Sequence, residues 1–178
     1  MTLFISFLVI VVVIVFLKNY QQMKMKRVYK ERLKAYQTKH KLSESDLLLF
    51  KEVMGAAKEQ IIEWEITLKK SNRLKKIKNV KVGLVSAKEI FKDLMNHPDE
   101  ITEVHEFLYT KLPGVLDATQ KFIVIEASTV NTKEINDSLN AIQETIVLIS
   151  ESITDDYEEL IKEDVSDVDI TKQMVMKK

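Results

Sequence analysis

The chain has 178 residues, no cysteine, and 27 acidic against 27 basic side chains, so its formal net charge is zero. The lack of cysteine excludes disulfide frameworks, thiolate metal sites and cysteine nucleophiles. Because three glycines and two prolines leave few turn residues for a sheet protein, the composition predicts an all-α fold, with a single N-terminal transmembrane helix followed by a bundle of three to five long helices.

The first seventeen residues are apolar and uncharged, and between Leu3 and Leu17 only Ser6 is polar. As a helix this segment is about 25 Å long, at the short end of what crosses a bilayer. A secretory signal peptide would need a positive N-terminal flank and a small-residue cleavage site, which this segment lacks. A buried core helix would need a larger protein to hide in. We therefore expect residues 1–20 to be a transmembrane anchor.

The stretch from Lys18 to Lys41 carries nine basic residues against Glu31, a net of +8. By the positive-inside rule this flank stays in the cytoplasm, which predicts a single-pass cell-membrane protein with its N-terminus outside. We expect residues 21–41 to form a basic juxtamembrane helix or linker and residues 42–178 to form a cytoplasmic helical domain. Anionic lipid is the expected partner of the basic stretch, and nucleic acid is not expected. The residues in question are Lys24, Lys26, Arg27, Lys30 and Arg32.

Apolar residues at helical spacing then predict two long amphipathic segments. Ser43 is a candidate N-cap for the first of them. Its stripe is Leu47, Phe50, Met54, Ala57, Ile61, Trp64 and Leu68. The second stripe is Leu74, Ile77, Leu84, Ala87, Phe91 and Leu94, with an end expected near His97 because Pro98 follows. Ser71-Asn72 is either a turn or a register shift within one helix.

A third segment begins at Pro98, with Ile101, Val104, Leu108 and Leu112 as its stripe, and Leu112-Pro113-Gly114 is interpreted as a kink or a break. Phe122 to Ile125 is β-branched enough for a strand, but helix is favoured because no partner strand is evident. Asn131-Thr-Lys-Glu134 predicts a capping box that opens the last helix. Its stripe is Ile135, Leu139, Ile142, Ile146, Ile149, Ile153, Tyr157 and Leu160. The tail after Asp164 is expected to form only one or two weak helical turns.

Charge is segregated along the helical domain. Lys69 to Lys92 carries nine basic residues against Glu89, whereas Glu134 to Asp169 carries twelve acidic residues against Lys162. This pattern favours packing of the last helix along the second stripe. An equally good interpretation is that each set is a solvated face, because exposed ion pairs contribute only about 0–1 kcal/mol each.

A search for catalytic groups yields no catalytic, cofactor or metal residues that we would assign. Asp167 to Thr171 matches the DxDxT motif of haloacid-dehalogenase-like phosphatases, but it follows an acidic helix instead of an early buried strand. His105 has Glu100, Glu103 and Glu106 near it in sequence, yet none of the three histidines has a second histidine at i, i+4. No glycine loop for phosphate binding is present.

The second half of the chain resembles the bacterial XpaC-like family associated with 5-bromo-4-chloroindolyl phosphate hydrolysis, mainly over residues 64–176. The resemblance depends on Phe107-Leu-Tyr-Thr-Lys-Leu-Pro113, on Lys121-Phe122, and on the ending Asp164-Val-Ser-Asp-Val-Asp-Ile170, although Phe122 stands where the family has tyrosine. The resemblance implies a helical protein with a membrane segment and a link to toxic-anion resistance proteins. We therefore expect a membrane-anchored scaffold or adaptor, linked to toxic-anion or envelope-stress resistance, whose protein partner is unidentified, a protein of the toxic-anion-resistance type being one candidate. A further hypothesis is that the chain is itself an anionic-lipid-binding or envelope-stress factor. The alternative is a phosphate-ester hydrolase or a factor that affects this hydrolysis.

Overall fold

The computed structural model describes residues 29–130 and 132–176, with side chains as far as Lys162. Every regular element within these residues is helical, which confirms the all-α prediction. The predicted anchor, residues 1–20, lies outside them, and among the described helices none is both long and apolar enough to cross a bilayer. The chain divides into two compact units between Leu48 and Leu49.

In the first unit, helix α1 covers residues 29–39. Lys41 follows it in the left-handed region with φ 53°, and the amide of Leu42 donates to the carbonyl of Gln37 at 3.1 Å. A left-handed residue with this long backward hydrogen bond is the usual way in which a helix satisfies its last carbonyls. The side-chain amide of Gln37 donates a second bond to the Leu42 carbonyl at 3.2 Å.

Helix α2 spans Glu44–Lys70, and its start was predicted correctly. Ser43 Oγ accepts the amide hydrogen of Asp46 at 3.1 Å, while the Ser43 amide donates to the Asp46 carboxylate at 3.3 Å. This reciprocal pair is a capping box with aspartate in the third position. The predicted stripe is buried at all seven positions: Leu47, Phe50, Met54, Ala57, Ile61, Trp64 and Leu68.

A true break separates α2 from helix α3, which spans Lys78–Leu94. The hydroxyl of buried Ser71 accepts the amide hydrogens of Arg73 and Leu74 at 3.2 and 3.1 Å, and a 3-10 turn over Leu74–Lys76 follows. Because one side chain satisfies two backbone donors here, Ser71-Asn72 is a turn and not a register shift. Helix α3 ends at Leu94, three residues before the predicted end at His97.

Three kinds of helix follow in succession. A 3-10 helix over Pro98–Thr102 leads into a π-helix over Phe107–Lys111, and helix α4 spans Leu112–Glu126. Of the predicted kink or break at Leu112-Pro113-Gly114, the break is wrong, because the π-helix runs directly into α4. Pro113 lies in the first turn of α4, where a missing N–H is tolerated. Phe122 is fully buried within α4, which confirms helix over strand at this position.

Helix α5 spans Lys133–Met176. Thr132 Oγ1 accepts the amide hydrogen of Ile135 at 3.3 Å, so Thr132 caps the helix, whereas Asn131, the first residue of the predicted capping box, lies outside the described residues. The expectation of a weak tail after Asp164 is wrong, because α5 continues for twelve more residues. Leu139, Ile146, Ile153 and Leu160 of the predicted stripe are buried.

Within residues 49–162 these helices form a bundle around Trp64, Phe107 and Phe122, which are at most 1% exposed. Helix α5 packs against α3 and α4. Helix α2 is joined to α3 by an ion pair of Glu65 with Lys88, and to α4 by a hydrogen bond between Glu63 and Gln120. Each of α2 and α5 therefore lies next to both α3 and α4.

Helices α3 and α5 cross at very short range. A Cβ atom at Gly83 would lie 2.6 Å from the carbonyl oxygen of Ser150, and one turn further on Ser86 Oγ donates to Thr154 Oγ1 at 3.4 Å. Because the residue numbers rise together along both helices, α3 and α5 run in the same direction. They meet through small residues. The predicted packing of the last helix on the second is correct, but no lysine-to-carboxylate pair joins α3 to α5 among the described side chains.

Candidate functional site

One end of the bundle concentrates carboxylates, and we call it the acidic end. Seven of its described carboxylates come from the last turns of α3, from the 98–111 connection and from α5, and Lys92 and Lys111 lie among them. The seven are Glu89, Asp93, Glu100, Glu103, Glu106, Asp156 and Glu159. This end therefore has a strongly negative potential.

A cleft of about 350 Å³ opens at the acidic end beside the π-helix. Glu103, Glu106, Asp156 and Glu159 line it over an apolar floor that includes Leu160. Its size would suit a side chain or a small ligand. Four carboxylates at one opening favour a cationic group as its occupant.

The π-helix places Lys111 at the edge of this cleft. Lys111 Nζ donates to Asp156 Oδ1 at 2.6 Å and lies 3.8 Å from Glu106 Oε2. The Lys111 and Asp156 side chains are only 14% and 22% exposed, and Asp156 Oδ2 is buried without a hydrogen-bond partner among the described residues. Because π-turns occur frequently at functional sites, this half-buried pair marks the π-helix side of the acidic end as a candidate site.

A second group of possible ligands lies on the neighbouring side. His97 Nδ1 is 3.2 Å from Asp93 Oδ1 and 3.8 Å from Glu100 Oε1, and one ligand atom from each residue lies within 4.8 Å of the other two. Imidazole and carboxylate together suit transition-metal ions such as Zn²⁺ or Mn²⁺. The spacing i, i+4, i+7 in the sequence could have revealed this group, which the search for histidine pairs missed.

The opposite end of α3 is basic. Residues 69–81, which we call the basic turn, carry seven basic residues and no acidic one. Arg73 is fixed by side-chain hydrogen bonds to Gln143 and Asn140 at 2.5 Å and lies over the Phe122 ring. Five lysines are exposed and form no ion pair among the described residues, namely Lys70, Lys75, Lys76, Lys78 and Lys81.

Three exposed apolar side chains flank an ion pair that joins α2 to α3. Lys88 Nζ donates to Glu65 Oε2 at 2.7 Å, Ile62 and Ile66 flank Glu65 on α2, and Val85 lies one turn before Lys88. The three apolar side chains are 46%, 52% and 58% exposed, respectively. We call them the apolar patch. Hydrogen bonds from Lys88 and then Lys69 lower the pKa of Glu65, so the ion pair at the patch stays charged at neutral pH.

The fold does not bring the candidate catalytic and metal-binding residues of the sequence together into one site. His105 is exposed and contacts the ring of Tyr109 at 4.6 Å, while Glu103 and Glu106 line the cleft and Glu100 approaches His97. Asp167 to Thr171 lie within helix α5, not at the end of a strand as in the phosphatase motif.

Only some of the predicted lipid-binding residues lie in the part of the chain that the structure describes. Lys24, Lys26 and Arg27 lie outside the described residues, whereas Lys30 and Arg32 are exposed on α1. Exposure leaves these two side chains accessible, and their binding of lipid stays a prediction.

Comparison with known proteins identifies one family. Residues 1–174 match the family model described as 5-bromo-4-chloroindolyl phosphate hydrolysis protein. The match confirms the resemblance from residue 64 as far as residue 174 and extends it through the apolar N-terminal segment. No curated protein and no solved structure matches the chain.

Proposed function

The chain belongs to the family of 5-bromo-4-chloroindolyl phosphate hydrolysis proteins, and we propose that it acts as a membrane-anchored cytoplasmic adaptor that docks a partner protein on its apolar patch. Residues 1–20 would be the anchor, and the partner would be a protein of the toxic-anion-resistance type, as the resemblance implies. The match of the family model to residues 1–174 supports the anchor as a regular part of such proteins.

The observation that carries this proposal is the composition of the patch. Ile62, Ile66 and Val85 expose about half of their surfaces around a charged pair, Glu65 with Lys88. Exposed apolar groups next to fixed polar groups are typical of protein-binding surfaces, where apolar burial provides affinity and charge provides specificity.

The electrostatics of the cleft also favour an adaptor. A phosphate monoester is a dianion at neutral pH, and the cleft would present four carboxylates to it. Lys111, which would have to neutralise that charge, already donates to Asp156 at 2.6 Å. Binding of a phosphate ester in the cleft would therefore be unfavourable.

The experiment is site-specific crosslinking from the membrane. A photo-crosslinking side chain at Ile66 in the full-length chain should capture one stoichiometric protein, and Ile62→Lys should abolish the capture. Leu148→Lys is the matched control, because Leu148 is 66% exposed on α5, away from α2. If Leu148→Lys abolishes capture as completely as Ile62→Lys, the patch is not the docking surface.

A second candidate function is metal-dependent hydrolysis of a phosphate ester, which the grouping of Asp93, His97 and Glu100 favours. A bound divalent ion would supply a nucleophilic hydroxide and neutralise the phosphate. The purified full-length chain should then hydrolyse 5-bromo-4-chloroindolyl phosphate only with Zn²⁺ or Mn²⁺, and His97→Ala should abolish turnover while His105→Ala should not. Turnover that depends on Asp167 or Asp169 instead would assign the activity to the phosphatase-like motif.

A further inference from the structure

We infer that copies of this chain associate head to tail, with the basic turn of one copy bound to the acidic end of the next. The inference uses neither the apolar patch nor its partner, so it is separate from the proposed function. It depends on the charge of two surfaces at opposite ends of α3.

The basic turn has lysines that are free to bind. Lys70, Lys75, Lys76, Lys78 and Lys81 are exposed without an ion-pair partner among the described residues. The neighbouring ends of α4 and α5 contribute a smaller, mixed charge from Lys121, Lys133, Glu126, Glu134 and Asp137, and Glu151 and Asp155 of α5 line a groove with Lys78. The turn itself is held in place, because Ser71 caps its 3-10 segment and Arg73 is bonded to α5. The lysines therefore project from a defined backbone.

The acidic end is a receptor of opposite charge and suitable shape. Its cleft of about 350 Å³ is lined by three exposed glutamates in addition to Asp156, which is already bonded to Lys111. A second groove, which shares Leu160 with the first, is lined by Glu89 and Asp93. A lysine side chain can lay its aliphatic part on an apolar floor and keep its ammonium group among the rim carboxylates.

The two charged ends cannot neutralise each other within one chain. Helix α3 has 17 residues and is about 25 Å long, whereas charges are screened over about 10 Å at 0.1 M salt. A second copy can bring the two ends into contact, and both halves of the interaction are then present wherever this chain is present. Such a contact joins two different surfaces, so it is heterologous and can continue from copy to copy.

Because the chain has no cysteine, a single introduced cysteine is the only thiol that a crosslinker can modify, which allows a direct test of the head-to-tail contact. Single cysteines would replace exposed, uncharged residues at the two ends, Asn72→Cys in the basic turn and Thr102→Cys at the acidic end, so that no charge is lost. Full-length chains in a non-ionic detergent would be mixed and treated with a short bismaleimide. Thr145→Cys, exposed on α5, is the matched control.

We expect the mixture of Asn72→Cys and Thr102→Cys chains to give at least fivefold more covalent dimer than either chain alone or either chain with Thr145→Cys. Salt at 0.5 M should reduce the yield several-fold, because the contact is electrostatic. Equal yields in the mixture and the controls, or a yield that salt does not change, would overturn the inference. Efficient crosslinking of Asn72→Cys chains to each other would overturn it as well.

Charge reversal adds a second readout that does not depend on one variant. Lys75→Glu with Lys76→Glu in the Asn72→Cys chain should lower the yield with Thr102→Cys chains at least fivefold. Glu103→Lys with Glu106→Lys in the Thr102→Cys chain should restore it. Far-UV circular dichroism checks that each variant is folded, and failure of the reversed pair to recover the yield would contradict the inference.

Discussion

At the scale of single residues, the tightest constraint on this fold is a missing side chain. Gly83 brings α3 against the backbone of Ser150 on α5, where a Cβ atom would lie 2.6–2.8 Å from three Ser150 atoms. The apolar stripe in the sequence gave no indication of this contact, because a glycine on a helix face looks the same whether it is buried or open. Only knowledge of which helix crosses at Gly83 reveals its role.

Gly83→Ala should therefore destabilise the bundle by about 1–3 kcal/mol, because the rigid backbone of Ser150 cannot move aside as a flexible side chain could. Gly55→Ala is the matched control: nothing lies within 4 Å of a Cβ there, and alanine in a helix should add about 0.5–1 kcal/mol. Thermal unfolding of both variants is the measurement. A Gly83→Ala protein as stable as the parent would show that the two helices do not cross at this point.

Glu65 gives a prediction of pH dependence. Its pKa is lowered below the ordinary value of 4.5 by hydrogen bonds from Lys88 first and Lys69 second. A lowered folded-state pKa means that the stabilisation is fully present above 4.5 and is lost as the pH falls through the folded value.

The pair is partly exposed, so its contribution is at most about 1 kcal/mol. Glu65→Gln should accordingly reduce stability slightly at pH 7 and have no effect near pH 2, as measured by urea unfolding at both values. Glu59→Gln, on the same helix and without an ion pair among the described side chains, should have no effect at either pH. An equal loss from Glu65→Gln at both pH values would contradict this assignment.

At the scale of elements, the sequence was most informative where the spacing of apolar residues and an N-cap residue indicate the same helix. Helix α2 could be predicted because Ser43 provides a cap and seven apolar residues follow at spacings of three and four. The 98–126 region could not be predicted in this way, because its helix type changes twice. The position of a proline does not distinguish a break from a π-turn that leads into the first turn of another helix. The Asp93, His97 and Glu100 group was missed because only pairs of histidines were considered, although its members follow one another at i, i+4 and i+7.

The cap of α2 can be tested directly. Ser43→Ala removes the acceptor for the Asp46 amide and should cost about 1 kcal/mol. Hydrogen exchange at residues 44–47 should accelerate roughly fivefold, because that free energy is a factor of about five in the opening equilibrium. Ser138→Ala, where an exposed hydroxyl within a helix bonds to the Glu134 carbonyl, should change exchange near its own site only slightly. Unchanged exchange at residues 44–47 in Ser43→Ala would show that water replaces this cap at no cost.

At the scale of the whole molecule, charge and packing have separate roles. The acidic and basic segments were correctly expected to contribute neighbouring helices, but α3 meets the backbone of α5 at Gly83 and Ser150, and hydrogen bonds join Ser86 to Thr154 and Asn79 to Glu151. Opposite charge along the sequence therefore indicated the neighbour without being the cause of the packing. The charged side chains lie mainly on the surface and do not hold the two helices together.

Stability of the bundle should consequently depend little on salt. Between 0.05 and 1 M NaCl we expect the free energy of unfolding to change by less than about 1 kcal/mol, because the described ion pairs are mostly exposed. Urea unfolding of the full chain in detergent at the two concentrations is the measurement. A loss of several kcal/mol at high salt would show that the α3 and α5 charges hold the helices together after all.

The π-helix at Phe107–Lys111 has a consequence for how this chain tolerates changes in length. A π-turn accommodates one residue more than an α-turn, so the five-residue segment acts as an insertion absorbed inside a helix. Removal of one exposed residue there, such as Thr110, would let the segment close into a regular α-helix, with the buried faces of 104–108 and 112–122 still pointing the same way. Gain of a residue would exceed what the π-turn absorbs and would turn everything after it by about 100° relative to what precedes it. The chain should therefore tolerate the loss of one residue between Val104 and Leu112 better than the gain of one.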